Sequence, residues 1–172
     1  MWGMMAGALM AVAANGPRVY AAMDSPTIWW RTEGAQVVET HDDAGVRTCS
    51  LIMDRGGDAV VLRWRQNGAT SIYVKHQGWQ FGDHEGALPV QIQVGGVQLG
   101  TGAAGLDAVD YKDWIMAPVD QPVTEGLRVG DAIRVAFPDG RTTGISLPID
   151  RGRIVAVVRA VQHCQQVIGF RQ

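Results

Sequence analysis

Short runs of alternating apolar and polar residues, separated by turns rich in glycine, restrict the fold of this chain most. Residues 46–54 and 59–65 both alternate, and residues 71–75 repeat the pattern after an Asn67-Gly68 turn. An Asn-Gly turn suits a tight hairpin because both central residues take positive φ. The sequence therefore predicts three antiparallel strands in a meander.

Further runs of the same kind occur on both sides of this meander. They are residues 27–31, 35–40, 88–94, 97–99, 131–137 and 141–147. Residues 100–105 are small and predict a flexible connection, residues 107–118 favour no element, and residues 120–127 predict a short helix. Many short strands separated by turn signals predict a mainly β fold, either an antiparallel β-sandwich or a small barrel.

Residues 145–168 predict a different kind of element: a strand end, a proline turn and then a helix from residue 150. The apolar residues of this helix recur at helical spacing. They are Ile154, Val157, Val158, Val161, Cys164 and Ile168. We expect this C-terminal amphipathic helix to pack across one open end or face of the β structure.

The length of 172 residues suits one domain with a sizeable core, which we place at residues 22–172. The formal net charge is −2, and 19% of the residues are charged. This composition indicates neither a disordered chain nor a protein that binds nucleic acid.

Residues 1–21 resemble a secretory signal peptide. Residues 4–14 form an uncharged apolar run, and Ala21 precedes one possible cleavage site, with Ala13 as an earlier alternative. No Lys or Arg precedes the run, and a buried N-terminal helix is the alternative interpretation. We expect a periplasmic or secreted protein, without a transmembrane segment in its mature form.

Cys49 and Cys164 are the two cysteines of the chain. Because extracytoplasmic compartments are oxidising, they predict one disulfide, which would stabilise the fold by roughly 4–5 kcal/mol through the long loop that it closes. Two separate buried thiols are the alternative. A redox role is disfavoured, since the sequence has no Cys-x-x-Cys motif.

The exported start, Trp30 and the cysteine-bearing run RTCSLIMD resemble the invasion-associated locus B family of exported bacterial proteins. The later run TEGLRVGDAIRVAFPDGRTTGISLPIDRGRIVAVVRAVQHC extends the resemblance, which covers residues 46–166 in layout. It implies a β-rich periplasmic or surface-associated protein, and it offers no enzymatic residues to carry over to this chain.

Asp83-His84-Glu85, with His76 nearby, is the most metal-like cluster in the sequence. Adjacent residues of a strand point to opposite sides, and zinc usually takes three or four well-spaced nitrogen or sulfur ligands. A solvated acidic loop is therefore the preferred interpretation.

Two other patterns carry little chemistry. Asp107, Asp110 and Asp113 lack the spacing and the final glutamate of an EF-hand loop. His163 directly precedes Cys164, so their side chains would diverge by about 100° on a helix. We therefore expect no catalytic residue, no metal and no cofactor.

Tryptophan side chains near the predicted loops offer a different kind of site. Trp29, Trp30 and Trp79 are candidates for binding a protein or glycan partner through an exposed aromatic surface patch. The alternative is that these residues, together with Trp114, cap the core of a sandwich.

Basic residues lie on the outward face of the predicted meander. Arg63 and Arg65 belong to one strand, and Lys75 belongs to its neighbour. They form either a modest basic stripe or an ordinary solvated surface.

We therefore expect a non-enzymatic exported protein that acts by contacting another protein at the cell envelope or on a host surface. The alternative is a secreted hydrolase or a small-ligand-binding protein with a site built from residues 76–86 and 100–114. Convergence of two or more acidic or histidine side chains in one pocket would distinguish the two. The relevant residues are His76, Asp83, His84, Glu85, Asp107, Asp110 and Asp113.

Overall fold

The computed structural model describes residues 25–42, 44–79, 88–104, 114–119, 123–140 and 143–171. The predicted signal peptide, residues 1–21, lies outside these ranges. The strands are β1 Thr27–Thr32, β2 Ala35–His41, β3 Arg47–Arg55, β4 Asp58–Arg65, β5 Thr70–Lys75, β6 Leu88–Val94, β7 Val97–Ala104, β8 Trp114–Pro118, β9 Ala132–Ala136 and β10 Ile145–Pro148. The helices are α1 Val123–Val129 and α2 Ile154–Ile168.

The described strands form two antiparallel sheets. One has six strands in the order β1-β2-β3-β4-β5-β8, and the other has four in the order β10-β9-β6-β7. Inward side chains from both sheets belong to one buried cluster. The mainly β prediction is confirmed, and of its two alternatives the sandwich is the one that forms.

The predicted meander is the centre of the larger sheet. Leu51 of β3 lies opposite Leu62 of β4, which in turn lies opposite Ile72 of β5. All three side chains are fully buried, so the alternation predicted from the sequence sets the register of the three strands.

One prediction for the middle of the chain was wrong, and one segment there carried no prediction. Strand β7 continues through residues 100–104, where the small residues predicted a flexible connection, because those residues pair with β6. Strand β8 lies at the end of a segment that favoured no element, and it pairs with β5 at the sheet edge. Pairing with an existing strand supplies the hydrogen bonds that local propensity does not predict.

Helix α2 compensates for the unequal widths of the two sheets. Strands lie about 4.8 Å apart and a helix is about 10 Å across, so one helix covers the width of roughly two strands. Helix α2 contacts β1, β2 and β3 of the wider sheet, and its six predicted apolar residues are all buried. Among the described residues, no helix combines the length and hydropathy that crossing a membrane would require.

A disulfide joins Cys49 on β3 to Cys164 on α2, as predicted. The two Cα atoms are 5.9 Å apart, within the usual range for a bridge, and both residues are fully buried. Arg47 of the same strand donates a hydrogen bond to the carbonyl oxygen of Val167, 2.9 Å away. Helix α2 is therefore attached to the sheet by a covalent bond and by a charge-assisted hydrogen bond.

Helix α1 packs directly on the turn between β6 and β7. A Cβ atom added at Gly126 would lie 2.6 Å from the carbonyl oxygen of Val94, so this contact requires glycine. Arg151, just before α2, donates hydrogen bonds to the carbonyl oxygens of Arg128 and Gly130 at 3.0 and 2.7 Å. These bonds cap the end of α1 and hold it against the start of α2.

Candidate functional site

A cleft of about 420 Å³ opens between the edge strands β1 and β10, where the start of α2 closes the sandwich. The turns after β1 and β3 border its mouth. The volume lies within the range of about 300–1,000 Å³ that is usual for binding pockets. We call this space the apolar cleft.

Aliphatic side chains form the floor of the apolar cleft. They are Leu51, Leu127, Leu147, Ile149, Ile154 and Val157, and each is at most 8% exposed. Met53 is half-buried and lies beside them. The floor therefore offers an occupant hydrophobic contact, with a flexible thioether that can adapt to its shape.

A β-bulge brings two neighbouring tryptophans to the same side of the sheet. The register of β1 against β2 shifts between Ile28 and Trp30, and both Trp29 and Trp30 pack against the core cluster. In a regular strand, adjacent side chains would point to opposite faces. The strand alternation used for the sequence predictions could not anticipate this arrangement.

The two tryptophans then differ in their surroundings. Trp30 is half-buried and forms a wall of the apolar cleft. The ring of Trp29 lies 4.6 Å from the ring of His163 on α2, and the buried Nε1 atom of Trp29 has no hydrogen-bond partner in the described parts of the chain. Both tryptophans are half-buried, and Trp30 is the one that lines the apolar cleft.

Charged side chains surround the mouth of the apolar cleft. Arg153 donates a hydrogen bond to Thr32 Oγ1 and forms an ion pair with Asp150 at 3.3 Å. Glu33 and Asp54 are exposed at the neighbouring turns. The site thus has an apolar centre inside a polar rim, the usual anatomy of a protein contact surface.

Trp79, the third tryptophan predicted to bind a partner, occupies a different environment. It is 3% exposed, and its Nε1 atom donates a hydrogen bond to the carbonyl oxygen of Thr143 at 2.9 Å. Its ring meets the ring of Phe137 edge to face at 5.2 Å. Trp79 fits the alternative prediction, in which an aromatic side chain caps the sandwich core.

The loop-built site predicted for a hydrolase or small-ligand-binding protein is described only in part. His76 Nδ1 lies 2.6 Å from Asp58 Oδ1, and the His76 ring contacts Trp79. The other predicted members lie outside the described residues. They are Asp83, His84, Glu85, Asp107, Asp110 and Asp113. Within the described parts of the chain, no group of three or more His, Cys, Asp or Glu side chains is placed to hold a metal ion.

The outward basic residues are engaged with their neighbours. Arg63 is 7% exposed, and its guanidinium carbon lies 5.0 Å from the centroid of the Tyr73 ring. Arg65 pairs with Asp42 at 3.4 Å, and Lys75 Nζ lies 5.8 Å from the Trp114 ring centroid. The prediction of a solvated surface is therefore wrong for Arg63.

Comparison of the chain with protein-family models, with curated proteins and with solved structures finds no match.

Proposed function

We propose that this protein is an exported envelope or surface protein that binds another protein through the apolar cleft. The observation that carries the proposal is the position of Trp30, which stands half-exposed beside an aliphatic floor and inside a charged rim. Tryptophan is enriched among the residues that dominate binding energy at protein interfaces, especially where surrounding groups exclude water.

Export is supported by two independent features. The residues at the N-terminus match the composition of a signal peptide, and the Cys49–Cys164 disulfide belongs to oxidising compartments. A periplasmic or secreted location also agrees with the resemblance to the invasion-associated locus B family, whose members are exported. Membership of that family is part of the proposal, and so is the absence of enzymatic activity.

The binding site can be tested by placing a photocrosslinking amino acid at position 30 in the cell that makes the protein. The matched control carries it at position 114, because Trp114 is also a half-buried tryptophan in an edge strand of the six-stranded sheet. We expect a discrete crosslinked protein from position 30 only. The yield of this crosslinked protein should fall when Met53 is changed to Asp, since a carboxylate in the apolar cleft must be desolvated on binding. Equal crosslinking from both positions, or none from position 30, would contradict the proposed site.

Export is tested separately by recovering the protein after expression of residues 1–172 and measuring its mass. We expect a chain that begins at Ala22, with two cysteines that react with a thiol reagent only after reduction. Recovery of the full-length chain with both thiols reactive would refute export without bearing on the cleft.

The volume of the apolar cleft also favours a second candidate, a small-ligand-binding protein. A pocket of about 420 Å³ can enclose a small apolar molecule. Mass spectrometry of the purified protein under non-denaturing conditions distinguishes the two. A bound small molecule that is lost in Trp30→Ala would favour this candidate over the protein partner.

A further inference from the structure

A second hollow lies between α1 and the C-terminal half of α2, and it differs chemically from the apolar cleft. Its volume is about 590 Å³, and it shares no lining residue with the apolar cleft. Gln162, Gln165 and Gln166 line it from α2, and Glu125 lines it from α1. We call this space the polar hollow.

The three glutamines project together because of their helical spacing. Gln165 and Gln166 follow Gln162 by three and four positions, so each of them lies next to Gln162 on the helix surface. Each amide offers two N–H donors and one carbonyl acceptor. The Gln165 side chain lines the polar hollow, and its buried Nε2 atom has no hydrogen-bond partner among the described residues. Burial of an unpaired amide is unfavourable, and rotation of the side chain toward the hollow would let a ligand hydroxyl accept a hydrogen bond from it.

An aromatic ring stands next to these amides. Gly169 adopts a left-handed conformation with φ of 71°, which ends α2 and turns the chain back. The backbone N–H of Phe170 consequently bonds to the carbonyl oxygen of Gln165 at 2.9 Å. The half-buried Phe170 side chain lines the polar hollow.

The charges in the polar hollow favour a neutral ligand. Glu125 and Arg128 form an ion pair with a separation of 3.5 Å, so the two formal charges of the lining cancel. Amides that both donate and accept match hydroxyl groups, which also do both. A flat aromatic ring matches the apolar C–H face of a sugar ring.

We propose that the polar hollow is a binding site for a neutral saccharide. The amides of Gln162, Gln165 and Gln166 bond its hydroxyl groups, and Phe170 stacks on its ring. This site is independent of the apolar cleft, and its existence does not rest on the proposed protein partner.

Saturation-transfer NMR of the folded protein with cellobiose, maltose and N,N′-diacetylchitobiose tests the proposal. We expect transfer to at least one of them at about 10 mM, since an open site of this kind suits a dissociation constant of about 1 mM. Gln165→Leu keeps the size of the side chain and removes the amide, so it should weaken binding by about tenfold, the effect of losing one or two hydrogen bonds. Phe170→Ala should weaken it similarly.

The matched control is Gln98→Leu, an exposed glutamine on β7 outside the polar hollow, and it should bind as the unaltered protein does. If Gln165→Leu fails to fold, the exposed Gln166→Ala provides the same comparison. The proposal is overturned if none of the three sugars receives saturation transfer. It is also overturned if Gln165→Leu and Gln166→Ala both show the same transfer as the unaltered protein. It is also overturned if a blocked dialanine peptide binds there and the sugars do not.

Discussion

The apolar cleft and the polar hollow border the same helix, yet they present opposite chemistry. The first turn of α2 contributes Ile154 and Val157 to the apolar cleft, and its last turns contribute Gln165 and Gln166 to the polar hollow. The two spaces differ because α2 lines the first with aliphatic side chains and the second with amides, and the charged residues of α1 line only the second. One amphipathic helix therefore serves two surfaces, and the position of α2 controls both.

The largest expected effect comes from removing the bond that holds α2 in place. The double variant Cys49→Ala/Cys164→Ala should lose about 2–5 kcal/mol of unfolding free energy, because the bridge closes a loop with a sequence separation of 115 residues. Chemical denaturation in oxidising buffer measures the loss. The unaltered protein in reducing buffer should approach the variant, and an unchanged unfolding midpoint would show that α2 does not depend on the disulfide.

A smaller change should damage the apolar cleft alone. Ile154→Ala should cost about 2 kcal/mol, the low end for an isoleucine truncation, because Ile154 is 7% exposed and faces an open space. Crosslinking from position 30 should fall, and sugar binding in the polar hollow should persist. Val155→Ala is the control on the same helix, since Val155 is 60% exposed. Equal damage to both surfaces would mean that they are not separable.

Gly126→Ala tests the support of α1, which lines the polar hollow. Alanine gains about 1 kcal/mol of helix propensity over glycine, but overpacking costs about 1–3 kcal/mol. A new Cβ atom only 2.6 Å from a backbone oxygen cannot be accommodated by rotating a side chain, so the steric cost should exceed the gain. We expect a net loss of about 1 kcal/mol in denaturation. Increased stability would show that α1 shifts freely.

The smallest effect should come from an exposed pair that touches neither surface. Hydrogen bonds from Arg134 lower the pKa of Asp131 below its ordinary value of 3.8. A lowered folded-state pKa stabilises the fold above 3.8, and this contribution disappears as the pH falls through the folded-state pKa. Asp131→Asn should therefore be slightly less stable at neutral pH and equal in strong acid. Because the pair is exposed, added salt should also reduce the difference.

Much of the fold was predictable from local patterns. The meander follows from alternation and the Asn-Gly turn, and the buried face of α2 follows from helical periodicity. The disulfide followed from the expected oxidising compartment and from the presence of two cysteines in the chain. These features depend on neighbours in the sequence or on two residues alone.

The candidate sites were less predictable. Trp30 and Trp79 were given the same role, but a bulge leaves Trp30 beside a cleft, whereas packing against Phe137 buries Trp79. The sequence predicted no site at Gln165 or Phe170, because their chemistry depends on α1 and on the turn at Gly169. A run of glutamines at i, i+3 and i+4 followed by glycine and an aromatic residue was the available signal.

The sequence by itself determined the strands of the central meander, the buried face of α2 and the two cysteines that can pair. Alternation, helical periodicity and turn chemistry act over a few residues, so they can be read without the fold. The tertiary structure decided that α2 covers the part of the six-stranded sheet that the four-stranded sheet does not. It also decided where β7 and β8 pair and which residues surround each end of α2. Those outcomes depend on contacts between distant segments, and both proposed binding surfaces are formed by such contacts.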